Sequence, residues 1–280
     1  MADPETAEII SAEVFEAGTA GIEERDSADG IRLLLYVPAA AEAEVRAAIA
    51  RAASGARISA AEWIARTDWS EQWKSGLKAA EISPRLLVRP SFVDAISKPG
   101  QTQLIIDPGQ AFGTGGHPST HLLLEWIDAL QPALEARNPN WRMLDVGTGT
   151  GVLSLAAVSF GARLAFAFDL DPLAIAATCA NARANDIESG LEVFIGPLDA
   201  VADETFDLVV ANLLRTELMP LIDGIAARVR PGGYAVFAGL LHDECESVVA
   251  AARATGLSHT GERAMADANG DLWSALLMTR

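Results

Sequence analysis

Two glycine-rich stretches, each followed by a predicted helix, contain the residues whose types and spacing could do chemistry. The first is DPGQAFGTGGHPST at residues 107–120, and the second is DVGTGTG at residues 145–151. Glycine has no Cβ, so its backbone can turn tightly and approach a bound molecule closely. These two stretches are therefore the first candidates for a ligand site.

The second stretch has the spacing GxGxG and begins with an acid, Asp145. A dinucleotide-binding loop has the spacing GxGxxG, and its third glycine would fall at Val152 here. This difference, together with Asp145, argues against a nicotinamide cofactor. The loop is better suited to a nucleoside without a pyrophosphate.

An acid at the end of the next predicted strand adds a ribose ligand to this site. The run LAFAFDLD ends near Asp169, eighteen residues beyond Gly151. A carboxylate there can accept hydrogen bonds from two ribose hydroxyls. An acid at a strand end is by itself equally typical of a solvated surface, but its distance from the glycine loop favours the ribose role.

The elements that must position these residues have the pattern of an open α/β sheet. From about residue 95, short apolar runs alternate with helical stretches, and the runs are RMLDVG, LAFAFDLD, LEVFIG, FDLVVANLL and GYAVFAGLL. Continuous apolar runs of this length are typical of parallel strands buried on both faces. Such sheets bind ligands beyond the carboxyl ends of their strands, which is where the second glycine loop would lie.

The N-terminal part has a different pattern. Helical spacing in AEIISAEVFEAGTAGIEERD, a strand in IRLLLYVP, a helix in AEAEVRAAIARAA and a strand in ARISAAEWIA predict a small α+β domain over residues 1–66. Residues 67–94 are predicted to be a connector, with Trp69 and Trp73 packing from one helical face. The site-bearing domain is predicted to span residues 95–280.

Composition excludes several function classes. The formal net charge is −17, so attraction to nucleic acid or to an anionic membrane is not expected, whereas a basic protein or an amine would be attracted. The two cysteines, Cys179 and Cys245, form no CxxC pair, which fits a reducing compartment. The sequence shows no signal peptide and no apolar run of about 18 residues. We expect a cytoplasmic monomer.

The four histidines do not predict a metal site. His117 and His121 are four residues apart, as zinc ligands on a helix would be, but Pro118 stands between them at a predicted helix start. His242 and His259 have no local cluster with cysteine or acids in the sequence. His117 is instead expected to belong to the first glycine loop and to hydrogen-bond to backbone.

These motifs together resemble a known family. The DVGTGTG loop, Asp169 and VVANLL resemble class I methyltransferases that use S-adenosylmethionine. DPGQAFGTGGHPSTHLLLEWI is similar to a stretch that is specific to the ribosomal protein L11 methyltransferase (PrmA) family, and the agreement extends over about residues 65–280. It departs from the family pattern at Gly116 and Ser119. The resemblance implies a Rossmann-like domain with a mostly parallel seven-stranded sheet.

The resemblance also implies roles for individual residues. Phe112 and Gly113 correspond to loop residues near the reactive methyl, Asn212 is expected to orient the nucleophilic nitrogen, and Phe112 and Asn212 are the catalytic candidates. The expected S-adenosylmethionine-binding residues are Phe112, Gly113, Thr120, Asp145, Gly147, Gly149, Asp169 and Asn212.

The implied reaction is methyl transfer from S-adenosylmethionine to lysine side chains, to the N-terminal amine, or to both, of ribosomal protein L11. An acidic enzyme suits such a basic partner. Two alternatives keep the fold, namely a lysine methyltransferase of the electron-transfer flavoprotein β subunit and a small-amine methyltransferase. A third hypothesis is a silent binding protein, against which the intact acids, glycines and asparagine argue.

Overall fold

The structure is a computed structural model that describes residues 4–27, 30–53, 58, 77–107, 113, 115–201 and 204–280. The chain divides into two compact units, Met1–Asp68 and Trp69–Arg280. Within the described ranges, no helix is both long and apolar enough to cross a membrane. The predicted helix with Trp69 and Trp73, and most of the predicted strand ARISAAEWIA, lie outside the described residues.

The first unit contains two helices and an antiparallel hairpin. Its described elements are helix α1 (Pro4–Glu16), strand β1 (Gly21–Ser27), strand β2 (Gly30–Tyr36) and helix α2 (Glu42–Ala52). The predictions of strand β2 and helix α2 are confirmed. A small core joins the two helices and consists of Ile10, Val14, Val45, Ala48 and Ile49.

The expectation that the helical pattern continues through GIEERD was wrong. Gly18 has a φ of +94° just after α1, a conformation that ends helices and that glycine adopts without strain. The residues that follow then pair as β1 with the apolar run of β2. The boundary was missed because β1 is too polar to resemble a strand with a buried face.

The second unit begins, in its described part, with a three-stranded sheet. Strand β3 (Ala80–Ser83) is antiparallel to β4 (Leu86–Arg89), which is parallel to β5 (Thr102–Ile105). Two of these strands lie within residues 67–94, which the sequence pattern assigned to a connector. Leu86, Val88 and Leu104 are buried in the core of this unit.

A seven-stranded sheet forms the centre of the second unit. Its strands are β6 (Arg142–Val146), β7 (Leu164–Asp169), β8 (Leu191–Ile195), β9 (Phe206–Asn212), β10 (Val229–Leu241), β11 (Ser258–Ala266) and β12 (Leu272–Thr279). The order is β11-β12-β10-β9-β6-β7-β8, and only β12 runs antiparallel to its neighbours. The predicted α/β class with a mostly parallel seven-stranded sheet is confirmed.

Helices cover both faces of this sheet. The described α-helices are α3 (Pro118–Arg137), α4 (Val152–Ser159), α5 (Pro172–Ala184), α6 (Arg215–Leu218), α7 (Ile222–Arg228) and α8 (Cys245–Ala254). Strand β9 shows why the run FDLVVANLL is continuously apolar. Leu208 and Val210 pack in one core with α3 and α4, whereas Val209 and Ala211 pack in the other with α7 and α8.

Candidate functional site

The second glycine loop joins β6 to α4 at the carboxyl edge of the sheet. Gly147, Gly149 and Gly151 all have positive φ, at +72°, +56° and +82°. The backbone N–H groups of Gly147 and Thr148 both donate to the carbonyl oxygen of Phe168, at 3.1 and 3.0 Å. The loop is therefore fixed against the end of β7, in a backbone conformation that requires glycine.

Asp169 stands at the end of β7, beside this loop. Its Oδ2 accepts a hydrogen bond from the Gly149 backbone N–H at 3.0 Å, and its Oδ1 accepts one from the Asp171 backbone N–H at 3.0 Å. Each carboxylate oxygen can accept more than one hydrogen bond. The side chain is thus oriented by backbone and can still accept hydrogen bonds from a ligand.

Asp145 lies beneath the loop and is fully buried. Its Oδ2 accepts hydrogen bonds from the hydroxyls of Ser154 (2.7 Å) and Thr148 (2.9 Å), and its Oδ1 has no partner among the described residues. Burial raises the pKa of Asp145 to about 6, against the opposing effect of those hydroxyls. Asp145 is not among the residues that line the cleft, so its contact with a cofactor stays a prediction.

Asn212 and Thr120 meet on the other side of the loop. Asn212 is the last residue of β9, and Thr120 is in the first turn of α3. The Asn212 amide donates from Nδ2 to Thr120 Oγ1 at 3.0 Å, which orients the amide. The Asn212 Oδ1 atom is buried and has no hydrogen-bond partner in the part of the chain that the structure describes. A buried acceptor without a partner is costly, which makes it a candidate ligand contact.

Among the described residues, one hydrogen bond joins the first glycine loop to the second. The Thr150 hydroxyl donates to the carbonyl oxygen of Gly113, which has a φ of +108°. A Cβ at Gly113 would lie 3.0 Å from Thr150 Oγ1, so glycine permits this close approach. Phe112 lies outside the described residues, and its assigned role stays a prediction.

His117 caps helix α3 and belongs to the site. Its Nδ1 accepts a hydrogen bond from the Ser119 backbone N–H at 3.3 Å, which confirms the expected bond to backbone. Its ring contacts Trp273 edge-on, with the centroids 4.6 Å apart. Burial lowers the pKa of His117 more than the nearby Asp267 raises it, which favours the neutral imidazole.

These residues surround one cleft of about 820 Å³ at the carboxyl edge of the sheet. Six of the predicted site residues line it, namely Gly113, Thr120, Gly147, Gly149, Asp169 and Asn212. Sequence reasoning missed Trp273, Glu217 and Leu170, which also line it. A second cavity, of about 490 Å³, contains Arg142, Arg163 and Glu204 and none of the predicted site residues.

Two asparagines, Asn181 on α5 and Asn185 immediately after it, were also missed. The Asn181 amide donates to the carbonyl oxygens of Thr150 (2.9 Å) and Asp107 (3.1 Å), and it accepts from the Asp107 N–H at 3.0 Å. Asn185, one turn later, makes a matching pair of bonds with the backbone of Ile105. The stretch ANARAND contains both asparagines at a spacing of four, but their partners are far away in sequence.

The sequence indicated no local cluster of His242 with cysteine or acids, but the fold brings such a cluster together. The ligand atoms of His242, Cys245 and Glu262 all lie within 4.8 Å of one another. The sequence hid this cluster because Glu262 is twenty residues from His242 and approaches it only when β11 and β10 flank β12.

The residues of the cleft fit S-adenosylmethionine. The volume lies within the range of about 300–1,000 Å³ that is typical of small-molecule sites. Asp169 can accept bonds from ribose hydroxyls, and Leu170, which is 72% exposed beside it, offers an apolar surface for a base. Glycine at position 147 lets the loop pass close to Leu213, since a Cβ there would lie 2.8 Å from Leu213 Cδ2, and no side chain projects from Gly149.

Comparisons with known proteins agree with this geometry. A family model described as "Ribosomal protein L11 methyltransferase (PrmA)" matches residues 5–279. A ribosomal protein L11 methyltransferase from Symbiobacterium thermophilum is 34% identical over 215 residues, which cover 77% of this chain and 66% of the relative. One from Chromohalobacter salexigens is 39% identical over 196 residues, which cover 70% of this chain and 63% of the relative. These alignments span slightly less than two thirds of the relatives' length.

A solved structure is also similar. The crystal structure of a ribosomal protein L11 methylase from Lactobacillus delbrueckii subsp. bulgaricus superposes with a TM-score of 0.62 at 26% identity, over 72% of this chain and 98% of the other. The family model covers almost the whole sequence, and the fold and cleft are consistent with it. The chain therefore belongs to the ribosomal protein L11 methyltransferase (PrmA) family.

Proposed function

We propose that this protein transfers methyl groups from S-adenosylmethionine to lysine side chains, to the N-terminal amine, or to both, of ribosomal protein L11. Family membership supports the reaction and the substrate, and the cleft supports the cofactor. The observation that carries the proposal is the buried Asn212 Oδ1, an oriented acceptor without a partner among the described residues.

Asp169 and the two glycine loops would hold the cofactor. Asp169 is fixed by the backbone N–H groups of Gly149 and Asp171, so its free lone pairs point in a defined direction for ribose hydroxyls. Gly113 and Thr120 would border the methionine end, with Phe112 beside them. Asp145 would act from below, by fixing Thr148 of the loop.

Asn212 would position the acceptor nitrogen. A neutral amine has two N–H donors and one lone pair, and a donor directed at Asn212 Oδ1 fixes the direction of the lone pair. Thr120 holds the asparagine amide in place through the bond at 3.0 Å. Such positioning is the main requirement, because the cofactor supplies a methyl group that a sulfonium already activates.

The amine must lose a proton before it reacts. A lysine has a reference pKa of about 10.4, and burial favours its neutral form. Glu217 lies in the lining of the cleft, where its carboxylate can attract the charged amine before desolvation. No dedicated general base is required in this scheme, since the proton can leave to solvent as the amine enters the cleft.

The partners and organisation follow from the same proposal. The net charge of −17 favours association with a basic protein such as one that binds RNA phosphates. Residues 1–66 are proposed to recognise the protein substrate and the second unit, Trp69–Arg280, to transfer the methyl group. We further propose that the protein acts as a monomer in the cytoplasm, without binding nucleic acid itself.

A transfer assay tests the proposal. Purified protein is incubated with radiolabelled S-adenosylmethionine and purified L11, and the labelled residues are mapped by mass spectrometry. We expect label on L11 amines, and we expect Asn212→Ala to lower kcat about 100-fold while the cofactor Kd changes less than about threefold.

Other outcomes would overturn parts of the proposal. If L11 stays unlabelled while another protein or a small amine in a cell lysate is labelled, the chemistry holds and the substrate is wrong. Unchanged kcat in Asn212→Ala would refute the role of that residue. Failure to bind S-adenosylmethionine would refute the enzyme.

A further inference from the structure

A cluster of potential metal ligands lies outside the lining of the cleft and has no part in the proposed methyl transfer. His242 follows strand β10, Cys245 begins helix α8, and Glu262 lies on the edge strand β11. The His242 Nδ1 and Glu262 Oε1 atoms are 3.1 Å apart, and the Cys245 sulfur lies within 4.8 Å of both ligand atoms. Three elements thus bring an imidazole, a thiol and a carboxylate to one point.

The donor set and the spacing suit a tetrahedral ion. Zinc bonds of about 2.0–2.3 Å place tetrahedral ligand atoms roughly 3.3–3.7 Å apart. The cluster is already close to that scale on its His242–Glu262 side, and the sulfur, within 4.8 Å of both ligand atoms, would move closer to them when an ion binds. His242 is exposed and can make this adjustment, whereas Cys245 is buried and fixed.

Ser274 supports the cluster from the middle strand. Its buried hydroxyl donates to Glu262 Oε1 at 3.0 Å and lies 3.0 Å from His242 Nδ1. These bonds hold the two ligand atoms close together, and they would be exchanged for bonds to the ion when it binds. In the absence of an ion, the same hydroxyl keeps the histidine and the carboxylate together.

We propose that His242, Cys245 and Glu262 bind one divalent ion of the zinc class, with a water molecule as fourth ligand. The thiolate and the carboxylate balance the two positive charges of the ion. The thiol proton passes to solvent as the sulfur binds. A soft sulfur ligand and an imidazole favour zinc over magnesium or calcium, which prefer oxygen ligands.

The ion would cross-link three elements of the second unit. It would link the end of β10 and the start of α8 to β11, across β12. Ser274 is also the immediate neighbour of Trp273, which lines the cleft. Because the ion would cross-link these elements, its binding should raise the Tm of the protein, and this readout does not depend on methyl transfer.

Zinc and cobalt binding to the full-length protein provide the test. The metal-free protein competes with a chromophoric chelator for Zn²⁺, and Co²⁺ absorption reports a thiolate ligand. We expect one ion per chain, a thiolate-to-cobalt charge-transfer band and a higher Tm with Zn²⁺. Cys245→Ser, His242→Ala and Glu262→Gln should each weaken binding at least tenfold, whereas Cys179→Ser and His259→Ala should not.

Several results would overturn the site. They are the absence of binding at tens of micromolar Zn²⁺, binding that is unchanged in Cys245→Ser, and binding that is lost in His121→Ala but kept in His242→Ala. Circular dichroism and the Tm of each variant without zinc establish that it is folded. Should Cys245→Ser fail to fold, the exposed His242→Ala variant decides the question alone.

Discussion

At the scale of single residues, the site is built from polar groups that backbone or neighbouring hydroxyls hold in place. Asp169 is held by two backbone N–H groups, Asn212 by Thr120, and Asp145 by two hydroxyls. Burying such groups is unfavourable, and hydrogen bonds within the protein or to a ligand offset this desolvation cost. Substitution of these residues should therefore change the affinity for the cofactor and the free energy of unfolding by different amounts, which can be measured separately.

Replacement of Asp169 should specifically weaken cofactor binding. Asp169→Ala would remove the two hydrogen bonds that the carboxylate is proposed to accept from ribose hydroxyls and would also free the Gly149 N–H, so we expect the Kd for S-adenosylmethionine to rise about 100-fold in calorimetric titration. Asp171→Ala is the matched control. That residue also lines the cleft, but its carboxylate caps α5 by accepting from the Leu173 N–H at 2.8 Å, so its loss should cost about 1 kcal/mol of stability and much less affinity than the loss of Asp169. Equal affinity losses in both variants would contradict a ribose role.

The buried Asp145 should make stability depend on pH. Its pKa is about 6 in the folded protein and near 3.8 in the unfolded chain, so the Asp145 carboxyl stays protonated up to a higher pH when the protein is folded. The free energy of unfolding therefore falls between about pH 4 and pH 6 and then levels off. Asp145→Asn lacks this effect. Measured by urea denaturation, the variant should gain about 2 kcal/mol relative to the parent from pH 4.5 to pH 7. A difference that is constant with pH would refute the raised pKa.

At the scale of elements, helix α5 connects the two glycine loops. Asn181 bonds the backbone of Asp107, where the first loop begins, and also the carbonyl of Thr150 in the second. Asn185 bonds only strand β5 and the preceding turn of its own helix. The helix thus sets the distance between the loops, although only its first turn lines the cleft.

A pair of asparagine variants should separate this positioning effect from stability. Asn181→Ala and Asn185→Ala each leave backbone groups without partners, so each should cost about 2–3 kcal/mol in chemical denaturation. Only Asn181→Ala should also raise the Kd for S-adenosylmethionine, by about tenfold, because only it releases both loops. If Asn185→Ala weakens cofactor binding as much, α5 acts through general stability and not through the loops.

The sequence predicted the strands that contain a local apolar run and missed two strands at the other end of the sheet. Apolar runs mark β6 to β10, although β8 at the sheet edge is only half-buried or exposed, and all five were identified. Strand β12 was not identified, although Ser274 to Met278 are buried. Strand β11 alternates between exposed and half-buried residues at the sheet edge, and it was not identified.

The site followed the same rule. Local spacing revealed the second glycine loop and Asp169, because glycine conformations and strand ends leave local signals. Trp273, Asn181 and Glu262 left none, since each meets its neighbours in the folded protein from a distant part of the chain. Contacts of this kind depend on the strand order, which local periodicity does not determine.

At the scale of the whole molecule, charge should govern the encounter with a protein substrate. A net charge of −17 attracts a basic partner over distances that salt shortens, from a screening length of about 30 Å at 0.01 M ionic strength to less than 10 Å above 0.1 M. Raising the ionic strength from about 20 to about 300 mM should lower kcat/KM for L11 roughly tenfold, mainly through KM.

A short lysine peptide of zero net charge provides the control for this salt effect. It reaches the same Asn212 and needs the same cofactor, but it lacks the positive charge of a whole basic protein, so its kcat/KM should change less than about twofold over the same range. Steady-state assays at several salt concentrations measure both slopes. Equal slopes would place the salt effect on the cofactor or on the chemistry, because those steps are common to both substrates. A steep slope for L11 alone would assign it to long-range attraction between an acidic enzyme and a basic substrate.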